Sequence, residues 1–280
     1  MIAAASAREA LAAAVDALAA AGVDSPRLDA ELLLAEATGD DRARLAADPE
    51  RAVSAPSARR FGAMVRRRLA REPVAYILGR KGFRRLELAV DGRALIPRPE
   101  TELLVELALE LRPRVVLDVG TGSGAVALAI AAELEGVSVT GVDTSAAALE
   151  LAGENAERLG LQVRFERLVS SGRSSDHERP IGRRYDLVVA NLPYVRDDEW
   201  PALAPEVREF EPPEALLGGP DGLRPIAALL ADPPDCAAIA LEVGAGQAAA
   251  VAGLVRRADF DRVETRADLA GIERLVVGLR

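Results

Sequence analysis

Cysteine and histidine are almost missing from this chain, with one of each in 280 residues. A lone Cys236 rules out an internal disulfide and a cysteine-built zinc site. It stands in the run CAAIALEV and reads as a core thiol on a strand. A lone His177, in the polar stretch SSGRSSDHERP, reads as a solvated loop residue. Catalytic triads that need an imidazole and metal centres built from several are therefore excluded. Aromatic residues make up only 3%. No apolar run approaches the ~20 residues needed to span a bilayer. The alanine-rich start carries Arg8, Glu9 and Asp16 and reads as an amphipathic helix, not a signal peptide. A cytoplasmic protein without a membrane partner is expected. Positive charge is in deficit, 35 Lys and Arg against 44 Asp and Glu. A net charge of -9 argues against a direct nucleic-acid substrate. The local exception is Arg59, Arg60, Arg66, Arg67, Arg68 and Arg71. It reads first as a solvated helix face, and second as a docking surface for an acidic or RNA-linked partner.

What is present falls into two halves. Residues 1–82 read as helical. Ser6 caps a first helix that stops at Gly22; Ser25 and Pro26 open a second that stops at Gly39. Residues 83–98, FRRLELAVDGRALI and its neighbours, alternate around an Asp-Gly pair and read as a β-hairpin linker. From 99 to 280, apolar strands alternate with helices: RVVLDVG, VSVTGVD, LQVRFERL, YDLVVAN, CAAIALEVG, FDRVETRADL and ERLVVGL. That pattern gives an α/β fold, a seven-stranded, doubly wound, Rossmann-like sheet. The last two strands lie too close in sequence for a crossover, so the final strand is expected to be antiparallel.

Two stretches carry chemistry. LDVGTGSGAVALAIA puts Gly120, Thr121, Gly122, Ser123 and Gly124 between the first strand of the sheet and its helix. Small residues there let a ligand approach a helix N-terminus. The next strand ends in Asp143, whose carboxylate can accept both hydroxyls of a ribose. The loop alone leaves a dinucleotide and S-adenosylmethionine open; the antiparallel last strand favours the methyltransferase form. The fourth strand ends in Asn191-Leu192-Pro193-Tyr194, beside the first. An amide nitrogen is a poor nucleophile, and a methylating enzyme must orient its lone pair by accepting both N–H bonds. The Asn191 side-chain oxygen is one acceptor and the Leu192 carbonyl the other, held extended by Pro193. Tyr194 stacks on the planar target. Asn191 thus serves catalysis, substrate binding and the cofactor side together.

With these motifs the chain resembles the HemK/PrmC-type methyltransferases of peptide chain release factors. REPVAYILG, LIPRPETELLVE, LDVGTGSG, EPPEALLGGPDGL and LEVGAGQ all stand close to that family's pattern. The resemblance implies methyl transfer from S-adenosylmethionine to the glutamine of a Gly-Gly-Gln motif, without a metal, by a monomer whose helical domain recognises the release factor. In IPRPETE, Thr101 is also expected to cap the following helix. Two departures stand out. Leu192 replaces the family's first proline, which a backbone acceptor tolerates. After the third strand no carboxylate aligns, Glu166 being early and Asp176 late, so no adenine contact is assigned there. The rivals are an adenine-amine methyltransferase on DNA or RNA and a non-catalytic translation-factor binding module.

Overall fold

A computed structural model describes residues 6–168 and 184–280. Asp176 and His177 lie outside the described residues. The chain forms two compact units: one runs through Gly79 and takes in Ala204–Phe210, the other comprises Arg80–Leu203 and Glu211–Arg280.

The first unit is helical: α1 (Ala7–Ala20), α2 (Pro26–Thr38), α3 (Arg42–Ala47), α4 (Ala55–Leu69) and α5 (Val74–Leu78). Ser6 and Glu9 form a reciprocal capping box on α1, Ser6 Oγ accepting from Glu9 N and Glu9 Oε2 from Ser6 N. Gly39 closes α2 in the left-handed conformation. Ser25 departs from expectation: its hydroxyl donates to the Asp29 side chain instead of capping the backbone. Leu18, Leu33, Leu34, Phe61 and Ile77 are buried together. The arginine cluster divides. Arg59, Arg60, Arg66 and Arg67 are exposed, as a solvated face requires. Arg68 is buried, and pairs with Asp29 at 2.7 Å and with Glu206 at 2.7 Å. Arg71 pairs with Glu206 at 2.6 Å. An arginine tip is buried only where carboxylates meet it, and sequence spacing does not reveal a partner 138 residues away.

The second unit opens with a hairpin, β1 (Arg80–Phe83) and β2 (Leu86–Ala89). Its turn is Arg84-Arg85, not the expected Asp91-Gly92. Arg84 takes a positive φ of 52°, held by its pair with Glu133 at 2.9 Å and by its backbone N–H donating to Glu102. Asp91 instead accepts from the Arg93 backbone and guanidinium. The rest runs α6 (Glu102–Leu111), β3 (Val115–Val119), α7 (Ala125–Glu133), β4 (Ser138–Asp143), α8 (Ala146–Leu159), β5 (Arg164–Arg167), β6 (Tyr185–Ala190) and β7 (Val195–Arg196). After α9 (Pro205–Phe210), which belongs to the first unit, come β8 (Leu217–Gly219), α10 (Arg224–Ala231), β9 (Cys236–Glu242), α11 (Ala248–Arg257), β10 (Arg262–Ala267) and β11 (Glu273–Leu279).

The large sheet has seven strands in the order β10-β11-β9-β6-β3-β4-β5. β11 is antiparallel to both neighbours, as the short connection demands. The five strands from β9 to β5 are parallel, and their helices cover both faces of an apolar sheet. Cys236 is a core thiol, its ionisation pushed up to about 11 by burial. β7 and β8 form a separate parallel pair. The register positions the site. Val119 pairs with Val142 and with Ala190, and Ala190 with Leu241. One residue further along, Asp143, Gly120, Asn191 and Glu242 make one row at the carboxyl edge of four strands, where open α/β sheets bind ligands. No helix among the described residues is long and apolar enough to cross a membrane.

Candidate active site

Leaving β3, the chain turns within one residue because Gly120 and Thr121 both donate to the Val142 carbonyl, at 2.8 and 3.0 Å. Gly120, Gly122 and Gly124 take positive φ angles of 75°, 55° and 82°, a region costly for other residues. A Cβ on Gly120 would stand 3.0 Å from the Leu192 side chain, so the glycine is what lets the loop and the Asn191 stretch approach each other. Asp143 fastens the loop to the end of β4: one oxygen accepts from Gly122 N and the other from Ser145 N, both at 2.9 Å. Ser145, not Asp143, caps α8. Behind the loop, Asp118 accepts from the Thr121 hydroxyl at 2.7 Å and from Ala127 N at 3.2 Å. Burial outweighs these bonds and pushes the Asp118 carboxyl up to about 7.

Directly after β6, the Asn191 side-chain nitrogen donates to the Thr101 hydroxyl at 3.0 Å. Thr101 continues a 3-10 turn in helical geometry, and its hydroxyl does not cap α6. Its expected capping role is corrected: the side chain is turned to Asn191 instead. The IPRPETE segment is held by a second long-range pair. The buried Glu211 accepts from Ile96 N and from the Arg98 guanidinium, tying this segment to the EPPEALL stretch. Pro193 and Tyr194 are clamped through their carbonyls. Gln247 donates to the Tyr194 carbonyl at 2.9 Å and accepts from Gly244 N at 2.9 Å. A Cβ on Gly222 would lie 2.3 Å from the Tyr194 carbonyl oxygen, and one on Gly218 would lie 2.7 Å from that of Pro193. The glycines of EPPEALLGGPDGL and LEVGAGQ thus let backbone pack on backbone around the Asn191 stretch.

A cavity of about 330 Å³ opens between the loop and these segments, within the usual scale of small-molecule sites. Gly120, Thr121, Gly122, Ser123, Asp143, Asn191, Leu192 and Pro193 line it. Gly124 and Tyr194 do not. Gly124 packs against Leu128, Ala152 and Phe165, and the Tyr194 hydroxyl lies 3.5 Å from Glu242, with burial pushing the phenol up to about 12. Asp118, Thr101, Arg98, Glu214 and Leu168 also face the cavity and were not among the site residues expected from the sequence. Leu168, directly after β5, supplies an apolar wall where the aligned carboxylate is lacking. The donor set suits a nucleoside joined to a zwitterion: a carboxylate at a strand end, a helix N-terminus, glycine backbone and apolar walls.

The PrmC N-terminal domain family matches residues 9–79, and a methyltransferase domain family matches residues 116–213. The release factor glutamine methyltransferase of Cereibacter sphaeroides is 43% identical over 274 residues, covering 96% of this chain and 97% of its own. That of Pseudomonas aeruginosa is 44% identical over 268 residues, covering 91% and 94%. Among solved structures, the hMettl16 catalytic domain matches with a TM-score of 0.54 at 13% identity, over 69% of this chain and 74% of that one. A methyltransferase from Pyrococcus furiosus matches with 0.50 at 18%, over 69% and 88%. At such identities these two matches speak for the fold alone.

Proposed function

The chain belongs to the release factor glutamine methyltransferase family, and on that footing we propose that it methylates the side-chain amide nitrogen of the glutamine in a release factor's Gly-Gly-Gln motif. When bound, S-adenosylmethionine supplies an electrophilic sulfonium methyl. Gly120 to Gly124 and the start of α7 would hold its amino-acid end, and Asp143 its ribose. Each Asp143 oxygen already accepts one backbone N–H and keeps a lone pair for a hydroxyl.

The observation that carries the reading is the Asn191 amide. Its nitrogen is engaged by Thr101, which leaves the oxygen to accept from the target. The Leu192 carbonyl is the second acceptor, kept extended by Pro193. Two acceptors on one NH2 hold the amide plane and turn the nitrogen lone pair to the methyl, so alignment and exclusion of water supply the rate. Tyr194, its backbone clamped by Gln247, stacks on the glutamine amide. The helical N-terminal unit recognises the release factor. The enzyme works as a cytoplasmic monomer, with no direct nucleic-acid substrate.

Transfer of a labelled methyl to intact release factor, set against duplex DNA, tests this. Label on the factor and none on DNA is expected. Asn191→Ala should slow single-turnover transfer by ~100- to 1,000-fold, the cost of one preorganised polar contact, with cofactor affinity nearly unchanged. Leu192→Pro should be almost silent, because the carbonyl remains. Label on DNA alone, or normal turnover by Asn191→Ala, would overturn the reading.

A further inference from the structure

Glu242 stands beside Asn191 at the end of the neighbouring parallel strand, on the same face of the sheet, because Ala190 pairs with Leu241. It is 2% exposed, and its Oε2 has no hydrogen-bond partner among the described residues. On Oε1 the Tyr194 hydroxyl lies 3.5 Å away. A buried carboxylate so poorly satisfied destabilises the fold, so stability does not account for it. Thr101 interacts with both side chains. It is buried, it accepts from Asn191 Nδ2, and its hydroxyl favours the charged form of Glu242.

We propose that Glu242, acting through Thr101, fixes which end of the Asn191 amide faces the substrate, and is a positioning residue for methyl transfer. This rests on the function proposed above. A threonine hydroxyl has one proton. Ionised Glu242 can only accept, so it draws that proton, and Thr101 Oγ1 is left to accept from Asn191 Nδ2. The amide oxygen then faces the target NH2. Protonated Glu242 can donate to Thr101 in its turn, which releases the hydroxyl proton towards Asn191. The amide is then free to reverse and to oppose the target's N–H groups with its own. The groups facing the carboxyl are Thr101 and Glu100 on the turn before α6, Tyr194 after β6, and Arg274 on β11. Burial raises the Glu242 ionisation to about 7 and Glu100 adds to the rise, whereas Thr101, Arg274 and Tyr194 lower it.

The test is methyl transfer to release factor on either side of pH 7, with cofactor affinity measured by calorimetry on the same proteins. Wild-type kcat should fall on the acid side. Glu242→Gln should abolish that acid limb, because its amide oxygen offers Thr101 an acceptor at every pH. Thr101→Val should lower kcat, by less than the ~100- to 1,000-fold expected for Asn191→Ala, with KM and cofactor affinity little changed. Thr101→Ser should restore turnover. An acid limb that persists in Glu242→Gln overturns the inference, and so does Thr101→Val turning over at the wild-type rate or losing cofactor affinity in step with kcat. A wild type that labels the factor while its variants keep its profile sinks the relay alone. A wild type that labels no factor at any pH removes the proposed function and the relay with it.

Discussion

Asp118 is the second carboxyl of the site lifted to about 7 by burial, with Asp143 adding to the rise. A folded-state pKa above the unfolded one means that the native protein holds a proton which the unfolded chain has given up. Stability from this group is therefore complete below its ordinary value of 3.8 and is lost as pH rises through about 7. Asp118→Asn keeps an acceptor for Thr121 and Ala127 and removes the ionisation. Its melting temperature relative to wild type should gain several degrees at pH 8 over pH 5; an equal difference at both would show that Asp118 does not titrate in this range. That Asn191, Asp143, Gly120 and Gly122 come together at one cavity was legible because the roles proposed for them, amide orientation, ribose binding and a tight turn, each call for particular residue types. Thr101 and Glu242 were not. Thr101 reads as a helix cap until a partner 90 residues away claims its hydroxyl, and Glu242 is one letter at the end of an apolar strand.

Elements supply the rigidity that the site needs. β7 and β8 are two and three residues long, too short to leave a period in the sequence, yet they join the stretch after Tyr194 to the LGG segment. Gly218 is a tight point of that joint. A Cβ there would meet the Gly222 carbonyl oxygen at 2.5 Å as well as that of Pro193, both backbone atoms with little freedom to yield. Gly218→Ala should reduce kcat more than it reduces cofactor affinity, since the displaced backbone carries Pro193 and Tyr194 and not the glycine loop. Equal loss in both measurements would mean that the clamp serves general folding. The seven long strands were readable from their apolar runs. The hairpin was misplaced because Asp-Gly is the stronger turn signal, whereas Arg84 takes the left-handed turn only with ion-pair support from elsewhere in the unit.

At the scale of the whole molecule, the helical unit depends on α9. Glu206 receives Arg68 and Arg71, and hydrogen bonds from its own backbone and from both arginines outweigh burial and hold its carboxyl below the ordinary range. Glu206 is part-buried, so its removal should cost less than the about 3–5 kcal/mol typical of breaking a fully buried pair. Glu206→Ala should lower the urea midpoint accordingly, and a change within about 0.5 kcal/mol would show the network to be dispensable. The stabilisation should also fade as pH drops below 4.5, the carboxyl's ordinary value.

Because Ala204–Phe210 belongs with the N-terminal helices, the helical unit is discontinuous in the gene. No single cut yields both halves whole. A fragment ending at Gly79 leaves Arg71 without its carboxylate and Arg68 with one of two, while the complementary fragment carries a helix whose basic partner surface is gone. Grafting the recognition unit of one relative onto the chemistry of another therefore requires two exchanges, at the N-terminus and at α9. A chimera made by the first alone would pair foreign helices with a resident α9, and would be judged a poor recogniser when its fault is a mismatched carboxylate.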